Sequence, residues 1–289
     1  MKAERLLDLT MSLGEGPVWD ERTNTLHWVD ILPGRLWQHD FTGNQTTNLD
    51  AGDSVGMCCL KQDGGMVAAL SHSIVLLKDG TQQVLAENIE PEWPGNRFND
   101  GKCDAAGRLL AGTMDKNGAP GRGSLYRLEE GRPLKKLLGD ITVSNGLGWS
   151  PDSRFLYYVD TPSGFLWRFE YDLDTGTLQN RTALIDYRGE EGSFDGICVD
   201  AEGCIWAAHW GGHQVSRWDP GTGRKLLRVD IPAPFVTSCC FGGERMDKLF
   251  ITTAGEKAAH SEGFPLAGSL FVAETGIQGL PAARFGKIK

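Results

Sequence analysis

No stretch of this 289-residue sequence is apolar for long enough to cross a bilayer, and the opening MKAERLLDLT lacks the apolar core of a secretion signal. The expectation is a cytoplasmic protein with no membrane partner. Basic runs are equally absent. No run of Lys or Arg exceeds two residues and the formal charge is −9, a balance that repels nucleic acid and anionic lipid and points to a small molecule instead. The seven cysteines, at 58, 59, 103, 198, 204, 239 and 240, form no CxxC pair, which removes the usual zinc and redox frameworks. They read as buried, reduced thiols packing as small apolar groups.

Glycine and tryptophan, by contrast, are plentiful, with 38 and 9 copies. Many short strands joined by tight turns would use them in this way, and internal repeats bear this out. DGICVDAEGCIWAAHW aligns with EGPVWDERTNTLHWVD, NDGKCDAAGRLLAGTM and NGLGWSPDSRFLYYVD. Each opens on a side-chain oxygen, reaches Asp or Ser five residues on, turns, and resumes an apolar strand. Two degenerate copies, from Gly56 and Thr237, complete starts at 15, 56, 99, 145, 195 and 237, with steps of 41, 43, 46, 50 and 42 residues. This is the spacing of four-stranded β-propeller blades. The expected fold is all-β, one six-bladed propeller over residues 1–289.

Later strands of the units alternate apolar and polar residues and end at turns: RLWQHDF, GSLYRLEEG, FLWRFEYDLDTG, QVSRWDPGTG and GSLFVAETG. Ahead of the first unit, RLLDL is the candidate for a strand that pairs with the last blade and closes the ring.

Residues at equal phase on the innermost strands converge at one face of a propeller, so Glu15, Asn99, Asn145 and Asp195 are expected to meet. Facing carboxylates between apolar strands repel and lose hydration, at several kcal/mol per unpaired ion. With no Lys or Arg in the same phase, a bound divalent cation answers that repulsion, and an oxygen-only donor set suits Ca²⁺, Mg²⁺ or Mn²⁺, with Zn²⁺ also admissible. The alternative for any one of the four is a turn or bulge residue tying off backbone amides; four in one phase favour the ion. Fifteen residues on stand Asp30, Met114, Asp160 and Trp210, expected to frame the mouth. The two acids read equally as supporting acids or strand-end turn formers, and Trp210 with His209 reads as substrate contact or packing.

The stretches LGEGPVW, NRFNDGKCDAAGRLLAGTM, SNGLGWSPD, DGICVDAEGCIW and SCCFGG resemble the senescence marker protein 30, regucalcin and gluconolactonase family, from Leu13 to about Gly268, with RFNDGK the most specific piece. The resemblance implies a six-bladed propeller that holds one divalent cation and hydrolyses lactones of sugar acids. Glu15, Asn145 and Asp195 match the family's metal ligands. Asn99 matches a residue close to metal and substrate, and Arg97 the arginine that holds substrate hydroxyls. Some members carry a substrate-contacting acid a few residues after GTM. Here the stretch reads TMDKNGAP, so Asp115 or Asn117 would take that part, and the departure leaves the sugar open.

For lactone hydrolysis, a metal polarises the carbonyl and assists the water, while Asp195, binding through one oxygen, keeps the other to accept a proton as general base. Arg97 offers five donors to a sugar lactone, against a surface ion pair with Glu92 or Asp100. Two other readings stand beside the lactonase: a calcium-binding regulatory propeller without catalysis, and a propeller hydrolase for phosphoesters or aryl esters. Loop 115–123 and the segment TTAGEKAAHSEG are the expected shapers of substrate choice.

Several local motifs fail on context. GDSVG at 52–56 fits a serine-hydrolase elbow, but MCCLKQDGGMVAAL follows it, which is strand, turn, strand and not a helix. DLDTG has Thr177 and Ala183 where a calcium loop needs Gly and Glu. Gly211 and Gly212 break any helix that would align His209 with His213.

Overall fold

A repeat of 41–50 residues that buries one strand and exposes another should stack as radial sheets, and the computed structural model, describing residues 1–255 and 263–287, contains six four-stranded antiparallel sheets. The first runs Gly14–Asp20, Thr25–Asp30, Arg35–Asp40 and Gln45–Asp50 from hub to rim. The innermost strands of blades 1 to 6 are Gly14–Asp20, Met57–Leu60, Asn96–Cys103, Ser144–Trp149, Ser193–Val199 and Val236–Gly242. Each contacts the next, and the sixth contacts the first. Within the described residues the only helical element is the single 3-10 turn Thr161–Ser163, and no helix is long and apolar enough to cross a membrane.

The core lies between blades. Six apolar clusters fill the six interfaces: Leu109 and Ala111 pack towards Met57 and Val67 of blade 2, whereas Leu110, on the opposite face of the same strand, packs towards Leu147 and Leu156 of blade 4. Inner strands therefore bury both faces and lose the half-polar alternation of a two-layer sheet. Rim strands lose burial altogether, as in the wholly exposed Gln45–Asp50.

Ring closure follows the expectation with a shifted strand. Glu4–Arg5 pairs with Phe271–Glu274 in blade 6 and the Leu6 amide donates to the Leu270 carbonyl at 2.8 Å, so the first two residues of RLLDL join the blade. Leu6, Leu7 and Leu9 pack against the cluster between blades 6 and 1. The C-terminal segment adds a second closure, passing from Gly279, bonded to Met246, to Phe285 and Gly286, bonded to Leu60 and Gly107.

The repeat phase has a structural basis. In blades 1, 3, 4, 5 and 6 the pairing of the innermost strand slips by one residue, between Glu15 and Val18, Phe98 and Gly101, Ser144 and Leu147, Phe194 and Ile197, and Val236 and Ser238. Each slip is a β-bulge, which re-aims a side chain out of the pleat. Glu15, Asn99, Asn145, Asp195 and Thr237 stand at these bulges, whereas blade 2 pairs Met57–Leu60 with Met66–Ala69 without a slip. The glycines that follow are set by crowding at the hub: a Cβ on Gly146 would lie 2.6 Å from the Asp195 carbonyl, and one on Gly196 2.1 Å from Ser238 Oγ.

Candidate functional site

Glu15, Asn145 and Asp195, carried by the bulges of blades 1, 4 and 5, are buried to about 5% exposure each and meet at the hub. Burial first, and then the Glu15 and Asp100 charges, hold the Asp195 carboxyl well above the usual carboxylate range. Glu15 is pushed up to about 8 by burial and by Asp100, against the opposing pull of the Gly16 amide, Lys102 and Arg97. Its Oε2 accepts the Gly16 N–H at 2.7 Å.

Asn145 is oriented by its neighbour. Its Nδ2 donates to Thr161 Oγ1 at 3.0 Å, and that hydroxyl donates to the Phe194 carbonyl at 2.9 Å, fixing the amide with Oδ1 unengaged. Asn145 Oδ1 and Asp195 Oδ1 are both buried without a hydrogen-bond partner, a condition most buried oxygens avoid. Two orphaned hard oxygens beside a second carboxyl fit a divalent cation. Among the described residues no three His, Cys, Asp or Glu side chains form a metal-holding group; the third oxygen here belongs to an amide.

Arg97 and Asn99 sit in the same cluster. Arg97 Nη1 donates to Asn99 Oδ1 at 2.6 Å and to the Phe98 carbonyl at 2.9 Å, while Asn99 Nδ2 donates to the Ser144 carbonyl at 2.8 Å. Both ends of Asn99 are thus engaged. Arg97 is buried, its guanidinium lowered to about 10 by desolvation and pulled back up by Glu15 and Asp195, so it faces the site and makes no surface ion pair with Glu92.

No Lys or Arg shares the phase of the four oxygens, yet two basic side chains reach the hub from other positions. Besides Arg97, Lys102 extends across it to the Ile197 carbonyl and acts on Glu15 and Asp100. Counting by phase locates backbone positions, whereas these two long side chains reach the hub from off-phase ones. When all five groups are ionised, the three acids Glu15, Asp100 and Asp195 still outnumber the two bases.

The remaining expectations divide. Asp30 accepts the Ser12 and Leu13 amides at 3.0 and 2.8 Å, and Asp160 the Val143 amide at 2.9 Å, so both tie down the chain entering an innermost strand. Trp210 packs on Phe235 with ring centroids 4.6 Å apart. His209 is buried between the Glu191 carbonyl, 2.8 Å from Nδ1, and Ser216 Oγ, 2.6 Å from Nε2. Desolvation pushes it down to about 4, and the neutral ring donates from Nδ1. Asp115 Oδ1 accepts the Asn117 amide at 2.9 Å and Oδ2 pairs with Arg122 at 3.4 Å, while Asn117 is exposed on the same loop. Ser54 meets Ser71 Oγ at 2.8 Å and precedes a strand, not the helix a serine-hydrolase elbow needs. All seven cysteines are free. Of TTAGEKAAHSEG, residues 256–262 lie outside the described residues. Thr161, Lys102 and Asp100 carried no repeat signal: Asp100 and Thr161 each neighbour a phase position, but none of the three occupies one.

The family description SMP-30/Gluconolactonase/LRE-like region matches residues 13–255. Regucalcin from Bos taurus is 37% identical over 97% of each chain. Among solved structures, a calcium-binding protein, regucalcin, from Agrobacterium tumefaciens is 30% identical, covering 98% of this chain and 97% of its own, with a TM-score of 0.93. A gluconolactonase from Xanthomonas campestris, 23% identical with a TM-score of 0.73 and coverage of 91% and 86%, shares the fold.

Proposed function

This chain belongs to the SMP-30/gluconolactonase/LRE-like family, and on that premise we propose that it hydrolyses lactones of sugar acids with one divalent cation held by Glu15, Asn145 and Asp195. One observation carries the reading: the Asn145 and Asp195 oxygens stand unpartnered beside the Glu15 carboxyl in a buried hub. The similarity to proteins named regucalcin and gluconolactonase supports it.

When bound, the cation supplies Lewis acidity to the lactone carbonyl. Asp195 keeps one carboxylate oxygen for the attacking water and takes its proton as general base. Arg97, with Nη1 committed to Asn99 and Phe98, presents its remaining N–H groups to sugar hydroxyls. Asn99 acts by holding Arg97 and the Ser144 carbonyl in register. The Asp115–Asn117 loop is the proposed edge of the substrate pocket, with the Asp115 carboxylate shaping the loop and Asn117 turned outward.

The test is a panel of aldonolactones followed by pH-stat, with and without chelator. Chelator-sensitive turnover supports the proposal. Tight cation binding without turnover on any lactone replaces it with a calcium-binding propeller, and activity confined to phosphotriesters or aryl esters replaces the substrate class.

A further inference from the structure

Beyond the bulges the same innermost strands wall a chamber of about 330 Å³ that borders the hub cluster through Asp100 and Lys102 and is lined further by Trp19, Cys59, Trp149, Cys198 and Phe241, with Leu280 and Pro281 of the C-terminal segment along it. Cys198 opens onto this chamber and is partly exposed. Behind it, on the adjacent innermost strand, lies Cys239, fully buried, with the two sulfurs 3.6 Å apart. The strands approach closely here, for Gly196 already abuts Ser238.

We propose that Cys198 and Cys239 are an oxidisable pair that closes into a disulfide joining blades 5 and 6 when hydrogen peroxide enters the chamber. The asymmetry of exposure assigns the roles. In the first step the Cys198 sulfur attacks the peroxide, an S–O bond forms, the O–O bond breaks and one water leaves with the thiol proton, giving a sulfenic acid. In the second the Cys239 sulfur attacks that sulfur, the S–S bond forms, the S–O bond breaks and a second water leaves. Two thiols lose two electrons and one hydrogen peroxide gains them. Contact with Cys198 and burial hold the Cys239 thiol well above its ordinary range, consistent with its acting second. Cys59 and Cys103 make another thiol contact on the wall of the same chamber, but both are buried, whereas Cys198 is partly exposed and meets the oxidant first. The new link would span 41 residues of sequence.

The experiment is titration of the native full-length chain with hydrogen peroxide, followed by intact mass, thiol counting and peptide mapping. The expected result is a loss of about 2 Da, a fall of two from the seven free thiols, one linked peptide pair carrying Cys198 and Cys239, and full reversal by dithiothreitol. Cys239→Ser should stall at a dimedone-reactive sulfenic acid on Cys198, and Cys198→Ala should remove both products. A native chain that keeps all seven thiols and links only after unfolding overturns the proposal, as does a first bridge between Cys59 and Cys103.

Discussion

Blades 2 and 5 are built from the same repeat and differ at one point of their innermost strands. In blade 5 the pairing slips at Asp195–Gly196 and the carboxylate leaves the pleat for the hub. In blade 2 the strand Met57–Leu60 is paired without a slip and is wholly apolar: Met57 and Cys59 pack towards blade 3, Cys58 towards blade 1, and Leu60 is buried. A regular strand serves packing, and one inserted residue frees a side chain for chemistry without disturbing the blade around it. The hub is thus divided between bulged strands that carry polar groups and a regular strand that carries core.

The largest expected effect tests that division at its two ends. Asp195→Ala should lower lactone turnover by roughly 10²–10⁴-fold from loss of the base alone, with loss of bound cation adding to it. Asp195→Asn should keep more cation than Asp195→Ala while losing the proton acceptor, which metal analysis beside initial rates would separate. In blade 2, Leu60→Ala, at a residue 2% exposed, should cost about 2–5 kcal/mol of stability by denaturant titration and leave turnover per folded molecule unchanged. Turnover that falls in the blade 2 variant but survives in Asp195→Ala would abolish the contrast.

Much of this arrangement was legible because a bulge recurs at a fixed place in each unit, so the residue it expels repeats as a phase in the sequence. Glu15, Asn99, Asn145 and Asp195 were found that way, and the six inner strands with them. The closing strand lies slightly ahead of RLLDL for a physical reason: Glu4–Arg5 joins the sheet through backbone bonds and leaves both side chains exposed, while the Leu6, Leu7 and Leu9 side chains serve packing. Lys102 and Thr161 were not legible at all. Each acts through reach or a single hydroxyl, across to another blade or onto the neighbouring strand of its own, and neither leaves a period behind.

Thr161 gives a smaller effect that sharpens the comparison. Its hydroxyl donates to the Phe194 carbonyl and holds the Asn145 amide by accepting from Nδ2. Thr161→Val keeps the shape and removes that acceptor, and supporting groups of this kind are worth about 10–100-fold in metal affinity. Calorimetric titration with calcium should show the weakening, with turnover recovering at saturating cation. Full affinity in the variant would mean that the bulge alone orients Asn145.

The smallest effect is a pH dependence confined to the bulged side of the hub. In the cation-free protein Glu15 releases its proton only near pH 8, because burial and the Asp100 charge oppose ionisation, whereas in the unfolded chain it is ionised above about 4.5. Between those values the folded state binds more protons than the unfolded one, so Glu15 makes stability fall as pH rises, by about 1.4 kcal/mol per unit for one proton. The buried histidines His27 and His209, both lowered to about 4, act oppositely but only below about pH 6.5, where the unfolded chain takes up their protons. Thermal unfolding between pH 6.5 and 8 therefore reads the raised hub carboxyls, Glu15 and Asp195, apart from the histidines: the cation-free protein should lose stability across this range and the calcium-loaded protein should not, with the gap narrowing in Glu15→Gln. The same protons must leave when calcium binds, so its apparent affinity should climb over the same interval. Parallel melting curves for the free and loaded protein at every pH would remove the carboxylates of the bulged strands from cation binding and return the hub to packing on all sides.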